Sequence, residues 1–122
     1  MGQGAGGVSA MQSAGFAMEH SYTAAFRDLP WQSSGPGARQ KPAALADRQL
    51  RLLGLTPAPV HPDRCVRGHA GYVLEGRLGL RFRTGVVQCD AGEGFLIPGG
   101  EEHAHIPRAL SDRVTLFVVD GE

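Results

Sequence analysis

Beyond residue 50 the chain alternates apolar and polar side chains in short runs. The clearest case is Leu78, Leu80 and Phe82, interleaved with Arg77, Arg81 and Arg83, a period of two that describes a strand with one apolar and one arginine-rich face. Residues 50–56 and 72–75 form earlier strands, the second stopped by Gly76. Thr84-Gly85 turns the chain into a strand at 86–89 and Asp90-Ala91-Gly92 turns it again. Residues 95–97 then run into Pro98-Gly99-Gly100, and 114–119 form the last strand. Strands spaced by turn residues every roughly eight to twelve positions indicate a sandwich or small barrel. No stretch of helical period follows Leu50, so the expected class is all-β, an antiparallel β-barrel or jelly roll.

The N-terminal part reads differently. Residues 1–17 are Gly, Ala, Ser and Gln with hydrophobes at no fixed period, too little apolar surface to offset the entropy of ordering. The expected organisation is a disordered segment at 1–19, an arm at 20–47 that packs on the barrel, and the barrel domain at 48–122. Within the arm Tyr22, Phe26, Leu29 and Trp31 fit neither period, and 33–37 reads as a loop. Tyr72 and Leu74 lie opposite Val73, and Phe117 and Val119 lie opposite Leu116 and Val118, so both faces of these strands carry apolar residues. The outward set needs cover from the arm or from a second copy, and a homodimer is expected.

Charge narrows the partners. Twelve basic residues balance twelve acidic ones, which excludes the basic footprint of a nucleic-acid binder and favours a small-molecule ligand. The cysteines Cys65 and Cys89 are too few for a disulfide framework and are not spaced as C-x-x-C, which suits a reducing, cytoplasmic setting. No apolar run spans a bilayer and the start lacks a signal-peptide pattern, so no membrane partner is expected.

Residues 92–103, reading Gly-Glu-Gly-Phe-Leu-Ile-Pro-Gly-Gly-Glu-Glu-His, resemble the second conserved motif of the cupins, G-x5-P-x-G-x2-H. Gly92, Pro98, Gly100 and His103 stand at its fixed positions, and Pro107 replaces its final Asn. Gly92 and Gly100 permit positive φ, and Pro98 stiffens the strand end. Upstream, Tyr72-Val73-Leu74-Glu75-Gly76 resembles the core that follows the first cupin motif, G-x5-H-x-H-x3-E-x6-G. In that alignment His69 takes the place of the glutamate, Cys65 the second histidine, Asp63 the first and Pro57 the opening glycine. The resemblance spans residues 50–119 and implies a cupin-type barrel whose metal-ligand positions are altered.

In cupins of this pattern the first-motif residues and the second-motif histidine hold one divalent metal, which implies a set of Asp63, Cys65, His69 and His103 here. Asp63, beside Pro62, fits a turn cap better, leaving Cys65, His69 and His103 as the candidate ligands. Thiolate with imidazole suits Zn²⁺, Fe²⁺ or copper rather than Mg²⁺ or Ca²⁺, and three ligands leave a position open. His103 and His105 share a face if the backbone between them is extended, and His61 and His105 are assigned to the mouth or rim. Glu75 reads as a solvated strand end and Cys89 as structural. The expected function is a small cupin that binds a small molecule through a divalent transition metal; the alternative is a metal-dependent enzyme of dioxygenase or isomerase type. Fold follows from such a match and activity does not.

Overall fold

The computed structural model describes residues 22–58 and 64–121. Nine strands form among the described residues: β1 (Gln32–Gly35), β2 (Ala38–Leu45), β3 (Arg48–Leu55), β4 (His69–Glu75), β5 (Arg77–Phe82), β6 (Gly85–Asp90), β7 (Gly94–Ile97), β8 (His105–Ala109) and β9 (Val114–Asp120). Every pairing is antiparallel. The larger sheet has the order β1-β2-β3-β9-β4-β7 and the smaller β6-β5-β8, a two-sheet jelly roll as the alternation implied. Helix is confined to two short 3₁₀ turns, Phe26–Asp28 and Glu101–His103, and no described helix is long and apolar enough to cross a membrane.

The largest departure from the sequence reading lies at 32–45, where the expected arm is a β-hairpin of the main sheet. β2 pairs with β3 from Ala38↔Leu55 to Leu45↔Arg48. Its turn, Ala46-Asp47, carries no Asn-Gly or Asp-Gly signal, and Ala46 itself takes a positive φ of 55°. Pro42 argues against a central strand, but β1 reaches only Ala38–Gln40, so β2 is open-edged at Pro42 and its missing N–H goes unneeded. Residues 22–31 precede β1 and hold only the short turn Phe26–Asp28. Phe26 meets Phe117 edge-on at 6.0 Å on the outer face, and the Lys41 ammonium donates to the Phe26 carbonyl at 2.8 Å. The segment expected to be disordered, residues 1–19, lies outside the described residues.

Strand parity builds the interior. Val114, Leu116 and Val118 of β9 face inward beside Leu55 and Leu53 of β3 and Val73 of β4, and meet Leu78, Leu80 and Cys89 of the smaller sheet. Burial of these side chains supplies the main drive to fold, about 1.5–3 kcal/mol for each large aliphatic one. One position further along the same inward rows the character changes. β9 ends in Asp120, paired with His69 at the start of β4 and with Gln49 near the start of β3, while β8 starts at His105 opposite Phe82. The interior is therefore apolar at one end and polar at the other.

Candidate metal centre

Cys65, His69 and His105 meet at the polar end, their ligand atoms all within 4.8 Å of one another. His69 and His105 come from opposing sheets, and their rings stand edge to face at 5.2 Å. Cys65 is fixed by a backbone bridge to His105, with Cys65 N–H donating to the His105 carbonyl at 2.8 Å and His105 N–H returning to Cys65 at 3.0 Å.

The hydrogen bonds settle which ring nitrogens are free. His69 Nδ1 donates to Asp120 Oδ1 at 2.8 Å, and His105 Nδ1 donates to the His103 carbonyl at 3.1 Å. A carboxylate and a carbonyl only accept, so both imidazoles carry the proton on Nδ1 and present a bare Nε2. The Cys65 thiol donates to His69 Nε2 at 3.2 Å. Burial pushes the His69 pKa below its ordinary value, the Asp120 carboxylate opposes this, and His105 and Arg51 add to the lowering. His69 is thus a neutral imidazole at neutral pH. Asp120 is itself held by Arg51, whose Nε and Nη2 reach its two oxygens at 2.8 and 2.9 Å.

A metal fits this donor set. In a tetrahedral site with bonds of about 2.3 Å to sulfur and 2.0–2.1 Å to nitrogen, donor atoms stand roughly 3.3–3.6 Å apart; Cys65 Sγ and His69 Nε2 are 3.2 Å apart, and all three ligand atoms lie within 4.8 Å of one another. Imidazole ligands whose second nitrogen is bound to a carboxylate or carbonyl are the usual arrangement around transition metals.

The structure brings together two of the three residues assigned from sequence, Cys65 and His69, and sets His105 rather than His103 beside them. His103 ends the 3₁₀ turn Glu101–His103, half-buried, and contributes its carbonyl rather than its ring. The shared face of His103 and His105 required extended backbone between them, and the turn removes it. β8 begins only at His105, a residue 2 % exposed, so His105 is an interior residue and not a rim one. Gly92 and Gly100 do take positive φ, 94° and 125°. Glu75 is exposed and accepts from Thr115 Oγ1 at 3.0 Å, a strand end as expected. Cys89 is buried, and its thiol pKa is pushed up by that burial and by Glu93 and Asp90, which makes it a structural thiol. His61 and Asp63 lie outside the described residues. Asp120 and Arg51 were not singled out from the sequence.

The cluster opens into a cavity of about 410 Å³ between the sheets. Leu80, Phe95, Leu116 and Val118 form its apolar wall, and Gln40, Gln49, Arg51 and Arg67 stand with the cluster on its polar side. Gly71 makes room for that wall: a Cβ there would fall 2.3 Å from Phe95 Cζ, so only glycine lets the ring lie across β4.

No protein-family model matches the chain, and no curated protein matches it by sequence. Solved structures do match. A sugar phosphate isomerase of the cupin superfamily from Silicibacter pomeroyi superposes with a TM-score of 0.65 at 19 % identity, over 79 % of this chain and 73 % of that one. An RmlC-like cupin from Shewanella frigidimarina gives 0.63 at 13 % identity, over 82 % and 89 % of the two chains. KdgF from a Halomonas species gives 0.62 at 19 % identity, over 79 % and 91 %. Identities this low establish likeness of fold and nothing finer.

Proposed function

We propose that this chain, which has the cupin fold, binds a small molecule in its interior cavity beside a divalent transition metal held by Cys65, His69 and His105. The observation that carries this reading is a cluster of one thiol and two imidazoles with ligand atoms within 4.8 Å of one another, each imidazole keeping a bare Nε2 because its Nδ1–H is bonded elsewhere. Lewis acidity toward an oxygen of the bound molecule is the chemistry such an ion supplies. The chain's own residues do the rest. Asp120 orients His69, Arg51 fixes Asp120, and the apolar lining residues offer surface for an apolar part of the bound molecule. Asp120 is the sole carboxylate among the described lining residues, and it is committed to Arg51 and His69. No further carboxylate stands among the described lining residues as a separate proton-transfer group, which favours a binding protein over a metal-dependent isomerase.

One observation favours a second reading. Cys65, His69 and Asp120 form a chain of thiol, imidazole and carboxylate like that of a nucleophilic cysteine site. It leaves His105 without a task, although that residue is buried and belongs to the same cluster, and the metal reading is preferred for that reason.

Titration of chelator-treated protein with Co²⁺ separates the two. A thiolate-to-cobalt charge-transfer band is expected, lost in Cys65→Ser and displaced by Zn²⁺, and Zn²⁺ protects Cys65 from iodoacetamide. Absence of the band, with rapid His69-dependent alkylation of Cys65, would replace the metal by the nucleophile. Tyr72, Leu74 and Leu96 remain exposed on the outer face of the larger sheet, and we propose that a second copy covers them, making the protein a homodimer.

A further inference from the structure

Charge on the polar side of the cavity is unevenly spent. Asp120 is neutralised by the two-point contact with Arg51. Gln40 Oε1 accepts from Arg51 Nη1 at 3.3 Å, which turns the Gln40 amide N–H groups away from Arg51. Arg67 lines the cavity, is exposed, and has no hydrogen-bond or ion-pair partner among the described residues. What remains on offer among the described lining residues is the unpaired Arg67 guanidinium, with the Gln40 amide elsewhere on the same lining, and no uncommitted carboxylate to oppose an anion. The rest of the lining is largely apolar and includes Leu80, Phe95 and Leu116.

We infer that the cavity takes a small organic anion, its negative head held by Arg67 at the mouth and its apolar body laid against Leu80, Phe95 and Leu116. A guanidinium presents a planar fork of donors that matches a carboxylate or phosphate oxygen pair, and such charge-assisted bonds are about twice as strong as neutral ones. A volume near 410 Å³ is at the small end of ligand pockets and sets the body at a modest size. The inference rests on the small-molecule reading of the cavity and deepens it by naming the ligand's class.

Calorimetric titration of the purified protein with octanoate, octan-1-ol and inorganic phosphate tests it. Octanoate is expected to bind roughly tenfold or more tightly than octan-1-ol, the weight of one charge-assisted pair. Arg67→Gln should remove that preference and leave octan-1-ol unchanged, while Arg67→Lys keeps part of it. Phosphate, lacking the body, should bind more weakly than octanoate. Equal affinity for octanoate and octan-1-ol, binding of neither, phosphate binding as tightly as octanoate, or an octanoate preference that survives Arg67→Gln would each overturn the assignment. Cobalt spectra of the same samples keep the two readings apart: loss of the metal reading appears as a missing charge-transfer band in the parent protein, whereas Arg67→Gln leaves that band intact.

Discussion

Asp120 is the residue on which both the polar end of the core and the orientation of His69 depend, and Asp120→Asn separates these roles. Its side chain is 3 % exposed and accepts three bonds, from Arg51 Nε and Nη2 and from His69 Nδ1. Asparagine keeps the shape but turns one oxygen into a donor, so at least one contact becomes donor against donor, and the Arg51 charge loses its partner. Removing one member of a fully buried pair costs about 3–5 kcal/mol. The Arg51 side chain is 21 % exposed and keeps some water, which brings the expected loss to about 2–3 kcal/mol. In a domain of this size that is a fall in Tm of roughly 10–20 °C. Metal affinity should fall roughly 10–100-fold, the usual effect of losing the carboxylate behind a ligating imidazole. Calorimetric melting and Co²⁺/Zn²⁺ competition measure the two effects. Arg51→Gln is the control, since it removes the guanidinium but leaves His69 bound to Asp120; stability should drop while metal affinity stays within a few-fold. An Asn variant that melts within about 2 °C of the parent and binds Co²⁺ equally well would refute the reasoning, as would equal losses of affinity in both variants.

Three further outcomes are expected. His105→Ala should weaken Co²⁺ binding by roughly 10²-fold or more, one ligand's share of a thiolate–imidazole site, whereas His103→Ala, which loses only a side chain outside the cluster, should leave it nearly unchanged; the reverse order would restore the motif histidine as ligand. Burial lowers the His69 pKa below 6.5, so the unfolded chain takes up a proton near pH 6.5 that the folded state resists. This contribution is therefore complete above about pH 6.5 and is lost as pH falls toward the folded pKa. Urea midpoints from pH 8 to pH 5 should fall in the parent and fall less in His69→Gln, and parallel curves would contradict the assignment. Leu96→Lys, placed in the exposed apolar patch of β7, should convert a micromolar dimer to monomer in light scattering, and a parent protein that is already monomeric would refute the dimer.

The strands that pack against one another were legible because each shows its buried face directly. Leu78 and Leu80 alternate with exposed arginines at 77 and 81, and the structure buries the first pair and exposes the second. The hairpin of β1 and β2 was not legible, because Ala38-Arg39-Gln40-Lys41-Pro42 has no two-residue alternation. Its pairing comes from the long antiparallel register with β3 rather than from a face of its own. That His105 rather than His103 stands in the cluster has a different origin. Counting along a motif fixes an offset, but direction depends on backbone conformation, and Gly100 at positive φ followed by a 3₁₀ turn rotates the intervening residues out of the strand.

Asp120 and Arg51 were within reach of the same parity argument that located the core. From Val114 the inward positions of β9 are Val114, Leu116, Val118 and then Asp120, so a carboxylate stands where the next buried aliphatic would be. From Leu55 backward the inward positions of β3 are Leu55, Leu53 and then Arg51. A charged residue that continues an apolar row must either leave the fold or find a partner, since an unpaired buried charge is strongly destabilising. Two such rows on neighbouring strands, one ending in an acid and the other reaching an arginine, satisfy each other. The row of β4 brings His69 to the same level, opposite Asp120. The polar end of the core is thus a consequence of strand register, and His69 inherits its fixed tautomer from it. His105, arriving from the other sheet with its own Nδ1 committed to a carbonyl, joins them in a cluster whose ligand atoms lie within 4.8 Å of one another.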